Sequence, residues 1–360
     1  MAARRARAKS LPARPANDTL KRVGIARRAL PALIVVACGN TPIVSDSGTD
    51  ALVPPPQDAS KPDVVDASEA CTPGQTRCSD SNLGVETCSD AGTWGAAIGC
   101  GAQTCLEGQC APCTEGQSQC NGDDVQVCSE GMWVTSTTCS STGQTCAIEY
   151  DAFDGSQPQD WTMNGSASYD ANDSAAQLTD TNEGEAGSWV FNRPITVDDV
   201  TFQFDFYSGG GTGADGIAFM LQSDGATALG AYGGGLGVAG LDGFGVEMDE
   251  YDNDECLDAS NDHIAIDSLA TCGDGVPTSL VENDSPGITI ADGNWHTVVV
   301  QVTNESFSVS ADGTDQFGSY AVTGWSNGPW YFGFGGGTGG LANVHLVRNV
   351  KVTFTAPRCL

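Results

Sequence analysis

The chain has 360 residues, enough for two or three domains, and its 46 acidic and 15 basic residues give a formal charge of −31. Nine basic residues fall within the first 28 positions, so from Cys38 onward 45 acidic and 6 basic residues remain, a formal charge of −39. Such a surface repels nucleic acid and anionic lipid, which excludes a nucleic-acid-binding protein. Carboxylates at this density also suit divalent cations, although most of them serve solubility.

The N-terminus has the pattern of an export signal. Arg27 and Arg28 precede an apolar run over residues 29–37, which ends at Cys38 and is too short for a membrane span of about 20 residues. Residues 35–38 resemble a bacterial lipobox. We therefore expect residues 1–37 to be a signal region and Cys38 to be lipidated, placing an exported protein at the cell surface or outer membrane, or otherwise in secreted form. Membrane contact would run only through that lipid anchor; the alternative is that Cys38 is an unmodified thiol.

The next segment, residues 38–70, is rich in Pro, Ser, Asp and Ala. Its low hydrophobicity and negative charge leave too little apolar surface to form a core. The composition predicts a disordered tether that holds the following domains away from a membrane.

Residues 71–148 contain a cysteine-rich repeat with a period of 42, because Cys71-Thr-Pro-Gly-Gln returns as Cys113-Thr-Glu-Gly-Gln. Each copy is too small for a core of its own, so disulfides and one buried tryptophan must stabilise it. Zinc is the alternative, but only Cys110 and Cys113 have knuckle spacing and no His lies nearby. We expect two disulfide-rich repeats in an oxidising compartment, acting as a stiff spacer.

The number of cysteines predicts a long-range bond. The first repeat has six cysteines and the second five, lacking an equivalent of Cys110. Cys256 and Cys272 are close enough in sequence to pair, which would close a loop of about 15 residues and add roughly 3 kcal/mol in the chain-entropy model. Cys359 then remains, and we expect it to bond to the 71–146 repeats, with Cys146 as the candidate partner.

From residue 149 the composition changes to frequent glycine and short alternating apolar runs. Residues 200–206 (VTFQFDF) and 295–302 (WHTVVVQV) are examples, separated by Gly, Asp and Asn turns. Period-2 alternation without an amphipathic helix predicts an all-β sandwich, and about 210 residues fit one large jelly roll.

One segment, residues 246–267 (VEMDEYDNDECLDASNDHIAID), concentrates metal ligands. Carboxylate, amide and carbonyl oxygens suit Ca2+, whereas a His among carboxylates suits Mn2+ or a similar transition ion. Alternation places Glu247 and Asp249 on the same strand face. One strand end and one loop could therefore hold two adjacent cations.

This segment resembles the legume (L-type) lectins, which carry Glu-x-Asp-x-Tyr-x-Asn, then Asp, then His-Ile-x-Ile-Asp, with the same spacing. The resemblance implies a concanavalin A-like jelly roll over residues 149–360. It also implies a transition-metal site and an adjoining Ca2+ site, the latter using the Tyr251 carbonyl. The ligands implied for the two sites together are Glu247, Asp249, Tyr251, Asn253, Asp258 and His263.

Three further motifs resemble the family's sugar-binding elements. Residues 213–219 (GADGIAF) are similar to its Ala-Asp-Gly motif, whose Asp follows a cis peptide bond; residues 233–237 (GGGLG) resemble its glycine loop, and residues 335–345 its last loop. Asn253 would bind both Ca2+ and sugar, and the Tyr251 ring would pack on the sugar. The resemblance thus implies a carbohydrate site of Asp215, Gly234, Gly235, Tyr251, Asn253, Gly340 and Leu341.

We expect a non-enzymatic, calcium- and manganese-dependent lectin or adhesin that binds glycans or glycoconjugates. One alternative is a laminarinase-type glycoside hydrolase, which needs two carboxyl groups about 5–5.5 Å apart. Its second Glu position holds Tyr251 or Asp252, and it leaves Asn253, Asp258 and His263 without a role. The other alternative is a structural adhesin whose sugar site is not functional.

Overall fold

The computed structural model describes residues 70–152, 157–253, 261–273, 275–303 and 305–360. All of these belong to one compact unit, Val65–Leu360. The predicted signal region, the lipidation site Cys38 and the tether up to residue 69 lie outside the described residues, as do Cys256 and Asp258. None of the helices in the described ranges has the length and hydropathy needed to cross a membrane.

The described residues form 24 β-strands and two short 3-10 helices, Cys139–Thr142 and Gly233–Gly235. The strands of the repeat region are β1 (Thr76–Cys78), β2 (Gly84–Thr87), β3 (Ile98–Gly99), β4 (Cys105–Leu106), β5 (Gln109–Cys110), β6 (Ser118–Asn121), β7 (Asp124–Ser129) and β8 (Met132–Thr138). Those that follow are β9 (Cys146–Asp151), β10 (Trp161–Gly165), β11 (Ser168–Asp170), β12 (Ala175–Thr179), β13 (Ala186–Phe191), β14 (Ile195–Thr196), β15 (Val200–Gly209), β16 (Gly216–Gln222), β17 (Gly243–Asp249), β18 (His263–Cys272), β19 (Val276–Asn283), β20 (Trp295–Thr303), β21 (Ser306–Ala311), β22 (Thr314–Ala321), β23 (Pro329–Gly337) and β24 (Val344–Cys359).

The C-terminal region is a sandwich of two antiparallel sheets. The front sheet has the order β10-β13-β23-β16-β17-β18-β19, with β14 also paired to β23. The back sheet has the order β11-β12-β24-β15-β20-β21-β22, with β9 also paired to β24. Several neighbouring strands are distant in sequence, such as β13 and β23 in the front sheet and β24 and β15 in the back sheet, as in a jelly roll. The predicted all-β fold, with disulfide-rich repeats before it, is confirmed.

The main core lies between the sheets and is rich in aromatic side chains. Alternate residues of β15 point inward, so that Phe202, Phe204 and Phe206 are fully buried, as the period-2 pattern requires. Trp161 stacks on Trp189 with ring centroids 3.8 Å apart.

A smaller core covers the outer face of the front sheet. There the segment between β16 and β17 packs its apolar side chains, such as Leu236 and Val238, against Met220. Every residue of β16 is therefore buried on both faces. This covering segment contains the glycine loop, which fixes that loop at one end of the sheet.

The two repeats share one disulfide connectivity. The first contains Cys71–Cys88, Cys78–Cys105 and Cys100–Cys110. The second contains Cys113–Cys128, Cys120–Cys146 and Cys139–Cys359. In both, the first cysteine bonds to the third, the second to the fifth and the fourth to the sixth. The expected buried tryptophan is wrong, because Trp94 and Trp133 are only partly buried. The disulfides therefore provide most of each repeat's stabilisation.

Cys359 takes the place in the second repeat that Cys110 has in the first. The expected bond from the C-terminus to the repeats is therefore present, but to Cys139; the candidate partner Cys146 is wrong, because Cys120 occupies it. Strand β24 runs from the back sheet into the repeat, where Cys359 lies opposite Cys146 across the β9 pairing. The predicted boundary at 148/149 consequently falls inside β9, which joins the repeat to the sandwich.

Candidate functional site

The residues expected to contact sugar surround one pocket at the end of the front sheet. Its volume of about 680 Å³ lies within the range of about 300–1,000 Å³ found for small-molecule sites. Four separate chain segments contribute the predicted residues, all seven of which line it: Asp215, Gly234, Gly235, Tyr251, Asn253, Gly340 and Leu341.

Asp215 lies in the wall of this pocket, just before β16. The Ala214–Asp215 peptide bond is cis, as the resemblance implied. The residue is 4% exposed, and its Oδ2 atom is buried without a hydrogen-bond partner. Burial raises the pKa of Asp215 to about 6. The charge of His345 and the hydrogen bond from the Gly339 N–H lower this pKa, whereas the charge of Glu250 raises it. A buried acceptor of this kind requires a donor, which a bound hydroxyl would supply.

The glycine loop approaches both polar groups of the pocket closely. A Cβ on Gly234 would lie 2.4 Å from Asn253 Oδ1, so this position accepts no side chain without displacing Asn253. Gly233 has a positive φ of 65°, and a Cβ there would lie 4.0 Å from Asp215 Oδ2. These positions require glycine because the backbone must pass beside the polar groups.

The last loop closes a further side of the pocket. The buried Thr338 anchors it, because its hydroxyl donates to the Asn182 carbonyl at 2.7 Å and accepts from the Glu185 N–H at 2.9 Å. A Cβ on Gly339 would lie 3.0 Å from Asp215 Oδ2. The adjoining Leu341 is 39% exposed and supplies an apolar rim.

Three of the predicted metal ligands converge beside the pocket. Glu247, Asp249 and His263 each offer a donor atom, and these atoms all lie within 4.8 Å of one another. They are 4%, 1% and 0% exposed. Asp249 and His263 face each other across the β17–β18 pairing, and His263 Nε2 lies 3.2 Å from Glu247 Oε1.

Further acidic groups surround these ligands. Ser279 donates a hydrogen bond of 2.9 Å to Asp267 Oδ1, while Asp267 Oδ2 is buried without a hydrogen-bond partner. Burial raises the pKa of Asp267 well above its ordinary value, and the Glu247 carboxylate raises it further. Glu282 Oε1 lies 3.9 Å from His263 Nδ1.

The donor set fits a cation. Two buried carboxylates repel each other and are costly to desolvate unless a positive charge lies between them. Two carboxylates and an imidazole form the donor set of a transition-metal site. Asp249, the Tyr251 carbonyl and Asn253 offer the oxygen donors that Ca2+ prefers. Asp258, expected at both ions, falls outside the described residues, and so does Cys256, the expected partner of the disulfide-bonded Cys272.

The family assignment agrees with this geometry. A family model described as the legume lectin beta-barrel domain matches residues 154–351, more than half of the chain. The chain belongs to the legume lectin family. The family's fold indicates carbohydrate binding.

Several solved structures are similar in fold to this chain. The VIP36 exoplasmic/lumenal domain in its Ca2+/Man3GlcNAc-bound form is 21% identical, with 57% of this chain and 87% of that chain covered and a TM-score of 0.46. The Bauhinia forficata lectin in complex with GalNAc is 20% identical, covering 59% and 98%, with a TM-score of 0.46. Basic winged bean lectin with Tn-antigen is 17% identical, covering 60% and 99%, with a TM-score of 0.48.

Sequence reasoning missed several pocket residues of this lectin domain. Tyr232 stands on the rim, 65% exposed, and Gly275 and Val276 form a wall beside Gly235. Only the position of Tyr232 directly before a glycine run could have indicated its role. Gly275 lies in the β18–β19 connection and Val276 begins β19, and the order of strands in the front sheet brings both to the pocket.

Proposed function

We propose that this protein is a calcium- and transition-metal-dependent lectin that binds glycans in the pocket around Asp215. The observation that carries the proposal is the buried, unpartnered Oδ2 atom of Asp215, which faces a pocket lined by all seven expected sugar-contacting residues. Sugar hydroxyls would donate to this carboxylate, and the glycine backbones let a pyranose ring approach closely.

Metal dependence would arise because the cation ligands and the sugar ligands share one segment. Glu247, Asp249 and His263 would hold Mn2+ or a similar ion. Asp249, the Tyr251 carbonyl and Asn253 would hold Ca2+, with Asp258 as an expected ligand of both. The bound cations would fix the backbone of residues 249–253, and therefore the amide of Asn253 and the ring of Tyr251.

The charges around the pocket favour an uncharged glycan. The described residues contain five Lys and Arg side chains, and none lines the pocket. Each pairs with a carboxylate elsewhere: Arg77 with Glu86, Arg193 with Asp160, Arg348 with Asp205, Lys351 with Glu149 and Arg358 with Asp198. A sialylated, sulfated or uronic-acid glycan would meet the Asp215 carboxylate, and no Lys or Arg side chain among the described pocket residues would compensate its charge.

The hydrolase alternative lacks support in the geometry. Among the described residues that line the pocket, Asp215 is the single carboxylate. Glu247 and Asp249 are buried with His263 rather than exposed to a substrate. Paired carboxyl groups facing a glycosidic bond, which hydrolysis needs, are not present in this lining.

The setting that we propose is the bacterial cell surface. Residues 1–37 would direct export, Cys38 would carry a lipid, and residues 38–70 would act as the tether, with the repeats as a spacer below the lectin domain. Mass spectrometry of the membrane-extracted protein tests this proposal: a diacylated or triacylated peptide beginning at Cys38 supports it, and an unmodified Cys38 in the mature protein contradicts it.

Isothermal titration calorimetry against a glycan panel, with and without EDTA, tests the binding function. Chelator-sensitive binding without turnover supports the lectin. Release of reducing sugar supports the hydrolase, and no binding across a broad panel supports an adhesin without a functional sugar site. Paired ligands that differ only in a sialic acid or sulfate test the charge preference, which equal affinity for both members would contradict.

A further inference from the structure

A buried polar cluster lies directly beneath the pocket and outside the expected ligand sets. It consists of Glu250, Ser208, Asn343 and His345, which we call the Glu250 cluster. Their exposed fractions are 6%, 0%, 3% and 0%. Desolvation on burial raises the pKa of Glu250, but the hydrogen bond and charge of His345, with the bonds from Ser208 and Asn343, outweigh it and leave that pKa below its ordinary value.

The Glu250 carboxylate accepts hydrogen bonds from three side chains. Asn343 Nδ2 donates to Oε1 at 2.8 Å, His345 Nε2 lies 3.2 Å from the same oxygen, and the Ser208 hydroxyl donates to Oε2. Burying a carboxylate is costly, and donors of this number compensate it. The orientation of the His345 ring is fixed by a second contact, because its Nδ1 atom, on the side away from Glu250, lies 2.7 Å from the buried Thr179 hydroxyl.

Each member of the cluster lies where a pocket segment leaves a strand. Ser208 is the last residue but one of β15, before the segment that leads to Asp215. Glu250 itself follows β17, before Tyr251 and Asn253. Asn343 and His345 lie at the end of the last loop, on either side of Val344, the first residue of β24. The Glu250 carboxylate therefore joins the points where three pocket segments meet their strands, and it connects the front sheet to the back sheet.

Backbone bonds extend this connection to the pocket itself. The Glu250 N–H donates to the Asp215 carbonyl at 2.9 Å. The Asn343 side chain accepts from the Gly211 N–H at 2.9 Å, and the Thr212 N–H donates to the Ala342 carbonyl at 2.7 Å. Asp215 and the last loop are thereby held relative to each other through groups that line no part of the pocket.

We propose that Glu250 is a positioning residue for glycan binding: its carboxylate fixes the three segments that present Asp215, Asn253 and the last loop to one sugar. This proposal rests on the proposed lectin function, and it assigns to Glu250 no contact with sugar or metal. Removing the outer-shell partners of metal ligands typically changes metal affinity or activity by about 10–100-fold, and we expect a loss of similar size in glycan affinity when Glu250 is removed.

Two substitutions separate positioning from charge. Glu250→Gln keeps an oxygen for Asn343 and His345 and an amide that can donate to the Ser208 oxygen, so it should bind glycan with about the wild-type affinity. Glu250→Ala removes the acceptor and should weaken binding at least about tenfold. Asp312→Ala is the matched control, because it also removes a carboxylate that contacts a histidine, His296, but does so outside the pocket. It should leave the glycan affinity unchanged.

The affinities are measured by calorimetry at saturating Ca2+ and Mn2+, with the metal content of each variant determined by mass spectrometry. Wild-type affinity in Glu250→Ala overturns the proposal, and so does a loss that tracks loss of bound metal. If Glu250→Ala does not fold, Ser208→Ala removes one donor alone. It should weaken binding several-fold, and wild-type affinity in that variant would also overturn the proposal.

Hydrogen–deuterium exchange provides a readout that needs no ligand. In Glu250→Ala, backbone amides of residues 211–215 and 338–343 should exchange faster than in the wild type, while Glu250→Gln and Asp312→Ala should not change them. If the wild-type protein binds no glycan, the proposed function fails, yet this exchange pattern still tests the positioning role. Unchanged exchange in Glu250→Ala refutes it.

Discussion

Asp215 is the residue on which the proposed sugar site depends most. Its Oδ2 atom has no hydrogen-bond partner within the protein, so its hydrogen-bonding capacity is available to a ligand. The sequence indicated this residue through the Ala-Asp-Gly motif. It did not indicate that Gly339 would approach the same carboxylate, because Gly339 lies more than 100 residues further along the chain.

Asp215→Ala should weaken glycan binding by about a hundredfold while leaving the fold intact. Each hydrogen bond to a charged group contributes about 1.5–3 kcal/mol, and the sugar would lose at least one such acceptor. Calorimetry measures the affinity, and circular dichroism checks the fold. Asp170→Ala, on the exposed β11–β12 hairpin, is the control. Wild-type affinity in Asp215→Ala would exclude this pocket as the sugar site.

His296 forms a second ionic cluster, with Asp312 Oδ2 at 2.8 Å from Nδ1 and Asp292 Oδ1 at 3.1 Å from Nε2. Burial lowers the pKa of His296, but the bonds and charges of the two carboxylates outweigh it and raise that pKa above 6.5. Desolvation raises the pKa values of both carboxylates, but bonds to His296 and nearby amides outweigh it and lower them below 3.8.

The cluster should therefore stabilise the fold most between about pH 4 and 6.5. The contribution of His296 is complete below its ordinary pKa and is lost as pH rises through its raised one. The carboxylate contribution is lost as pH falls through their lowered pKa values. Thermal unfolding of the wild type and His296→Gln at pH 5.5 and pH 9 measures it. The difference in melting temperature should shrink at pH 9, and a constant difference would contradict the assignment.

At the level of elements, β24 has two tasks. Its residues 344–354 pair with β12 and β15 in the back sheet, and its last residue, Cys359, bonds to the second repeat. The repeat's short strands supply little core, so the sandwich provides its sixth cysteine. The number of cysteines predicted such a bond, whereas the choice of Cys139 over Cys146 required the pairing of β9 with β24.

The double variant Cys139→Ser, Cys359→Ser should lower the stability of the fold. The bond closes a sequence separation of 220 residues, for which the chain-entropy model gives an upper value of about 5 kcal/mol. Thermal unfolding followed by tryptophan fluorescence measures the loss. Cys100→Ser with Cys110→Ser, which opens a separation of only 10 residues inside the first repeat, is the control and should affect the sandwich far less. An unchanged midpoint in the first variant would contradict the prediction.

For the whole molecule, a cation held at the proposed metal site would couple its binding to folding. Glu247, Asp249 and His263 come from two adjacent strands of the front sheet and are buried together. An ion that binds only the folded state adds stability that depends on its concentration. The acidic composition indicated cation binding in general, while the convergence of these three groups depended on the β17–β18 register.

Removing metal with EDTA should therefore lower the melting temperature, and added Ca2+ and Mn2+ should restore it. A cation at 100 times its dissociation constant adds about 2.7 kcal/mol to the free energy of unfolding. Differential scanning calorimetry of the full chain measures the shift. In Asp249→Asn, EDTA should cause little further change, because a ligand of both sites is altered. A wild-type melting temperature that is indifferent to EDTA would exclude a stabilising cation.

The sequence by itself determined the all-β class, the repeat with its missing cysteine partner, and the local ligand motifs. These features are contiguous: alternation along a strand and the spacing from Glu247 to His263 are properties of one chain segment. The tertiary structure decided the partner of Cys359, the contact of Gly339 with Asp215, and the union of Ser208, Glu250 and Asn343. The physical reason is that sheet order and strand register bring residues far apart in sequence within hydrogen-bond distance, and no local pattern encodes that pairing.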